Sequence, residues 1–369
     1  MKGCVAYIRE TDIYNDSRAM KEILALEKSG YHILVFGWNR HGKAEEECLK
    51  IFQNKNISFL FFDCLIEDGL GIKNIFKLLS FFRWVYKKLK ELKNDIDFVH
   101  ACDLTAGHSA YKFCRKYKKK LIYDIFDYYV DSHSIPKLLQ GIVERREIKI
   151  INYADATIIC TEERKEQIAK AKPKNLYVIY NSPDIGEIDF QVGEIDYVYC
   201  GVFSNVRLIE EIVEEYKNHS NYHIYFVGMG RLKDKIQETA EQFEQFKYLG
   251  SLSYDEVLKL EAKSKVISAI YKPTLRNHRL CAPNKFYEAL ALGKPLIVCR
   301  GTGIDRVVEE QKIGTVINYD AKEFFEALER LTSDPTTCQE MGKRARALYE
   351  KEYKWSLMEE RLNKLYSCL

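Results

Sequence analysis

Short, strongly apolar runs alternate with longer helix-period stretches almost from end to end of this chain, and few architectures accept that pattern. In the first half the runs are CVAYI (4–8), HILVFG (32–37), SFLFFD (58–63), DFVHA (97–101), KLIYDIF (120–126), ATIIC (156–160) and LYVIY (176–180). Helix-period stretches such as 16–29, 70–93, 104–118, 137–153 and 162–171 lie between them. Near-continuous apolar strands are buried on both faces, the condition of a parallel sheet covered by helices on each side. The stretch NSPDIGEIDFQVGE (181–194) breaks the alternation with Pro, two Gly and four acids, and reads as a linker. Alternation then resumes with DYVYCG (196–201), HIYFVG (223–228), FKYLG (246–250), KVISAIY (265–271), KPLIVC (294–299) and TVINY (315–319).

At 369 residues the chain is too long for one ordinary domain. The expectation is α/β: two Rossmann-like doubly wound domains, 1–185 and 186–353, facing a central cleft. An amphipathic helix over 354–369, with Trp355, Leu357, Met358, Leu362 and Leu365 on its apolar side, is expected to pack back on the first. Ligands of such sheets bind at the carboxyl ends of the strands.

Composition narrows the setting. The 11 cysteines form no Cys-x-x-Cys pair, and several sit inside apolar runs, so buried free thiols in a reducing compartment are expected. No apolar run approaches the ~20 residues that span a bilayer, and the start MKGCVAYIRE has no signal core. A cytoplasmic protein is the expectation, and the net charge of +3 requires no polyanionic partner.

Three places carry candidate chemistry. The second half opens on a strand followed by Gly201, then Ser204, Asn205 and Arg207 before a helix, and its second strand ends Gly228-Met-Gly230-Arg231. Such strand–glycine–helix turns bring backbone N–H groups toward phosphate, and Arg207 adds a fork of donors; glycine at these turns equally serves plain geometry. In YKPTLRNHRLCAPNKFYEALALGKPLIV (271–298), Pro283 suits the start of a helix. Asn284 and Lys285 then stand where N–H groups and a cation can face a diphosphate, and Glu288 one turn on can accept from ribose hydroxyls. A capped amphipathic helix with a solvated Glu is the plainer alternative. Third, Asp103, Asp124 and Asp127 end strands of the first half, where acids either orient a reacting hydroxyl or cap helices.

The run PNKFYEALALGKPLIV resembles the donor-site helix of family 4 retaining glycosyltransferases of the capsule and exopolysaccharide type, which adopt the GT-B fold. NDSRAMKEILALEKSGYHILVFGW, DFVHACDLTA, LIYDIFDYY, ADATIICTEE, LYVIYNSPD, YVYCGVFSNVRLIEEIVEEY, HIYFVGMGRL and FKYLGSLSYDEV follow in the order that family shows. The resemblance implies a hexosyltransferase. It would move a sugar from a nucleotide diphosphate sugar to a glycan or lipid-linked glycan, with retention, without metal or other cofactor, in surface polysaccharide synthesis. Donor contacts would come from Gly201, Arg207, Gly228, Gly230, Asn277, Asn284, Lys285 and Glu288. Arg207 and Lys285 would stabilise the leaving diphosphate while Asp103 and Asp127 orient the acceptor. The chain departs from the family where Leu280 replaces a Glu eight positions before Glu288, where Phe126 replaces a His, and where Leu208 follows Arg207. Leu280 and Phe126 keep open an inactive sugar-nucleotide-binding scaffold; an epimerase on the same fold is the other alternative, and it would need acid and base residues in the cleft that the sequence does not identify.

Residues 69–94 hold seven Lys or Arg and one acid. At 100° per residue Ile75, Leu78, Leu79, Phe82, Val85, Tyr86 and Leu89 share one face. Lys73, Lys77, Ser80, Lys87, Lys88 and Glu91 share the other, with Trp84 in its middle. Exposed aromatics among lysines mark an interfacial helix, so Lys73, Lys77, Trp84 and Lys88 are expected to touch an anionic membrane on its inner face. The basic run KFCRKYKKK (112–120) lies in the same half. No nucleic-acid module is recognisable, and none is expected as a partner.

Overall fold

A computed structural model describes residues 2–53, 56–66, 75–186 and 193–369. The chain divides into two compact units, the first formed by Met1–Tyr180 with Met358–Leu369, the second by Asn181–Leu357.

In the first unit the described strands are β1 (Cys4–Ile8), β2 (His32–Asn39), β3 (Ile57–Asp63), β4 (Phe98–Cys102), β5 (Lys120–Ile125), β6 (Ala156–Ile159) and β7 (Leu176–Val178). All pair in parallel, in the order β3-β2-β1-β4-β5-β6-β7. β1 and β6 are buried along their whole length, as runs covered on both faces must be. Helix Ser17–Lys28 starts where Asp16 accepts the Ala19 N–H at 3.1 Å, satisfying one open donor of the first turn. The final helix, Trp355–Ser367, belongs to this unit from Met358 on, and its Tyr366 hydroxyl lies 2.9 Å from His100 Nδ1 in β4. The expected helix over 162–171 reduces to the 3₁₀ turn Glu163–Glu166. Its Arg164 is drawn inward, bonding the Phe126 carbonyl and Asp127, and Gln167 reaches Asp131 at 2.9 Å.

Helix Ile75–Glu91 sits in a different rotation from the one the sequence suggests. Phe81, Val85 and Leu89 are fully buried, while Phe76 is 76% and Leu79 41% exposed. Trp84 does not stand among lysines in water. Its ring lies 6.1, 5.7 and 6.0 Å from those of Phe36, Phe62 and Phe81, against the β2–β3 edge of the sheet. Lys77 and Lys88 flank this stripe from the two ends of the helix, Lys77 bonding the Leu65 carbonyl at 2.7 Å and Lys88 pairing with Glu91 at 2.9 Å. Burying two aromatics three residues apart on an aromatic sheet edge removes more apolar surface from water than burying Leu79 would, and that sets the rotation. Lys73 lies outside the described residues.

The second unit repeats the plan with β8 (Ile195–Cys200), β9 (Ile224–Val227), β10 (Phe246–Tyr248), β11 (Ser264–Ala269), β12 (Leu296–Cys299) and β13 (Gly314–Ile317). Its parallel order is β10-β9-β8-β11-β12-β13. Both units are Rossmann-like, the two-domain composition of the GT-B fold. Among the described residues no helix is long and apolar enough to cross a membrane.

Candidate functional site

In an open parallel sheet the ligand crevice forms where strand order reverses. In the second unit that point lies between β8 and β11. The loops leaving these strands are tied together, the Lys272 N–H donating to the Val206 carbonyl at 3.0 Å. There the Arg207 guanidinium lies 3.8 Å over the Tyr271 ring, a cation–π stack that fixes the plane of the fork. Arg207 Nε is buried without a partner. Burial works against the charged form of Arg207, but Tyr271 and Tyr199 more than offset it, and its pKa stays above the ordinary value.

Helix Asn284–Ala291 enters the same region behind Pro283. Lys285, in its first turn, puts Nζ 2.7 Å from Glu288 and 2.6 Å from Glu261 of helix Tyr254–Ala262. Lys285 is 18% exposed and both carboxylates are buried. Burial penalises the ammonium, yet the two carboxylates outweigh it and hold the Lys285 pKa above its usual value. Glu261 moves the other way: burial pushes its carboxyl up to about 7, with Lys285 opposing and Glu288 adding to the rise. Tyr254 stands beside Glu288, and desolvation of its hydroxyl followed by that carboxylate raises the phenol. Tyr199 feels both Arg207 and Lys285, so the two cations border one space. Arg207, Lys285 and Glu288 thus come together, and Tyr271, Glu261 and Tyr254 complete the cluster. The sequence reading missed these three, because they come from separate elements with no local motif. Only Tyr271, at the end of an apolar run, carried a signal in its position.

The glycines differ from expectation. A Cβ on Gly228 would stand 1.9 Å from the Gly201 carbonyl oxygen, and one on Gly230 would stand 2.3 Å from that of Phe203. The loops after β8 and β9 therefore run in backbone contact, which glycine alone permits. The Gly201 N–H donates to Val227 and the Gly228 N–H to Gly250, so neither is free to cradle a phosphate. Asn284 accepts a bond from Asn181 at 2.6 Å. Asn277 lies in the short helix Arg276–Arg279, and Leu280 after it is buried, offering no polar group.

The first unit reverses strand order between β1 and β4. Asp103 stands there in a left-handed conformation, φ 61°, unfavourable for a residue other than glycine. One carboxylate oxygen accepts the N–H groups of Phe126 and Asp127 at 2.8 and 3.1 Å, and the other is paired with Arg9. Asp103 therefore clamps the ends of β1, β4 and β5, with little accepting capacity left to orient a hydroxyl. Asp127 pairs with Arg164 at 3.0 Å. The Phe126 ring is held between two guanidiniums, Arg9 at 4.2 Å and Arg18 at 4.6 Å. Asp124 is fully buried; burial would raise its carboxyl, but Arg18, bonded to both oxygens, and then His100 lower it to about 2. Glu22, His100 and Asp124 have the spacing of metal ligands. Arg18, 3.0 Å from Glu22 and 2.9 Å from Asp124, already fills the place of a cation there.

Residues 20–187 match the model described as Glycosyltransferase Family 4, and residues 192–334 match the model described as Glycosyl transferases group 1. The two matches follow one another along the chain, one over each Rossmann-like unit, and both models describe glycosyltransferases. The spore coat protein SA of Bacillus subtilis is 26% identical over 171 residues, so the match spans 44% of this chain and 44% of that protein. The structure of Anabaena HepE in complex with UDP-glucose superposes with a TM-score of 0.73 at 14% identity, covering 99% of this chain and 100% of that one. Sucrose-phosphate synthase from Thermosynechococcus elongatus gives 0.73 at 13% identity, covering 99% and 98%.

Proposed function

We propose that the protein transfers a hexose-type sugar from a nucleotide diphosphate sugar to a glycan or lipid-linked glycan, with retention, in the assembly of a surface polysaccharide on the cytoplasmic side of a membrane. The observation that carries this reading is the pair of cations at the β8/β11 switch point. Arg207, stacked on Tyr271 with Nε unpartnered, and Lys285, held by Glu288, face the place where a diphosphate leaves. Preorganised charge of this kind stabilises a departing diphosphate without reorganisation at the moment of reaction. HepE, whose structure contains UDP-glucose, supports a nucleotide-sugar donor. Glu288, buried beside Lys285, is the acceptor for ribose hydroxyls. Buried Leu280 cannot hydrogen-bond a sugar, so Asn277 and His278 on the adjacent short helix take that part. No Asp-x-Asp pair lies near the donor segments, and the two cations perform the charge neutralisation a metal would.

The test is a thermal-shift and calorimetric screen against UDP-, GDP-, dTDP- and CMP-sugars, since a bound donor stabilises the native state. Arg207→Lys, Lys285→Ala and Glu288→Ala are expected to bind the identified donor about 10- to 100-fold more weakly, the scale of a lost charged hydrogen bond. Donor affinity unchanged in folded Arg207→Lys and Glu288→Ala removes the assignment. Transfer or donor hydrolysis is expected to survive EDTA; loss on chelation with recovery on Mn²⁺ addition rejects the metal-free route.

A further inference from the structure

Helices Ile75–Glu91, Asp103–Tyr117 and Lys137–Tyr153 form one layer on the first unit's sheet, and all three run antiparallel to the strands. Their outer surface is graded. At the amino-terminal end stand exposed apolar side chains: Leu138 at 93%, Leu139, Ile142, Phe76 and Leu79. Further along, a groove of about 820 Å³ opens across the layer. Its walls carry Lys112, Arg115 and Lys116 on one side and Arg145, Arg146 and Lys149 on the other, with Tyr86, Tyr111 and His108 between them.

Among the described residues none of these six cations is paired with a carboxylate. Arg115 bonds the Tyr111 hydroxyl, Lys149 lies over the Tyr111 ring, and Arg146 lies 2.9 Å from His108. The acids on the same helix are committed elsewhere, Glu144 to Lys170 and Glu147 to Tyr123. The resulting positive field is felt by His108, whose pKa falls to about 4 through burial and then through Arg146 and Lys112. A soluble face normally interleaves both signs and keeps large apolar groups apart. This one does neither.

We propose that this face docks on an anionic lipid bilayer, with Leu138, Leu139 and Ile142 below the headgroups and the groove's cations at the level of lipid phosphate. Apolar side chains at one edge and cations behind them match the depth profile of a bilayer surface, where each basic residue adds attraction and each buried methylene adds insertion. A soluble anionic polymer would use the groove and leave the leucines idle. The apolar edge is also the end of the layer beside the strand carboxyl ends, where Arg9 and Asp103 lie. An acceptor anchored in the bilayer would therefore reach the first unit from the membrane side. This purpose rests on the functional reading above; docking itself is measured without donor or acceptor, so either can fail alone.

The experiment is flotation of the full chain with phosphatidylcholine vesicles, with and without phosphatidylglycerol, at low and high salt. Binding is expected only to vesicles with the anionic lipid and is expected to weaken in high salt. Lys112→Glu/Arg115→Glu/Lys149→Glu should reduce it more than about tenfold. Leu138→Ser/Leu139→Ser, changes at side chains 93% and 49% exposed, should reduce it several-fold at low salt, with far-ultraviolet dichroism unchanged. Failure of the wild type to float with anionic vesicles overturns the proposal. So does binding unaffected by either variant, or binding to a soluble polyuronate that depends on the cations while vesicle binding ignores the leucines.

Discussion

Lys285 is shared between two carboxylates, and that changes how the site answers to pH. Glu261 titrates near 7, where its ionised form adds negative charge beside the place of a diphosphate. Donor affinity should therefore fall as pH rises through about 7, and Glu261→Gln should bind donor several-fold more tightly and without that slope. Calorimetry on either side of neutrality checks it; a Glu261→Gln variant that keeps the wild-type slope assigns the titration elsewhere. The PNKFYE run was legible because Lys285 and Glu288 are one helical turn apart and their relation is local. Glu261 was not, because its helix meets theirs only after β8 and β11 have paired. Asp103 was legible as a strand-end acid, but its use as a clamp for Arg9 and two N–H groups depends on three strand ends meeting.

Strands and helices differed in how well they could be read. All thirteen apolar runs form strands, since a parallel strand buried on both faces needs no phase to be assigned. A helix does need one. In Ile75–Glu91 ten of 17 residues are apolar or aromatic, so several rotations bury a plausible stripe, and the aromatic edge of β2 and β3 decides among them. Trp84→Ala should accordingly destabilise the first unit by about 2 kcal/mol, in the range for truncating a partly buried aromatic. Phe76→Ala should leave stability within about 0.5 kcal/mol. Urea unfolding measures both, and the opposite ranking would restore the helix to the rotation with Trp84 in water.

Across the whole molecule, buried carboxyls set the dependence of stability on pH. Burial pushes Glu147 up to about 8 and also raises Glu22. In the unfolded chain both titrate near ~4.3, so between those values the folded state holds more protons than the unfolded. The unfolding free energy should therefore decline as pH rises from about 5 to about 8 and level off above. Asp124, held down by Arg18, acts oppositely, and its contribution is lost only as pH falls below about 4. Chemical denaturation across this range checks the slope, and Glu147→Gln should flatten part of it; a wild type that gains stability from pH 5 to 8 contradicts the account.

The His100–Tyr366 contact joins a strand near the front of the chain to its last helix, and the whole second unit is threaded between them. A ribosome delivers residues in order, so the first unit leaves the tunnel early but lacks the segment that covers His100 and Tyr31. The second unit, being one continuous stretch, can close while the first still waits. The half that is made first closes only once Met358–Leu369 has followed the second unit out, and until then its buried arginine and carboxylate network has one side open to water.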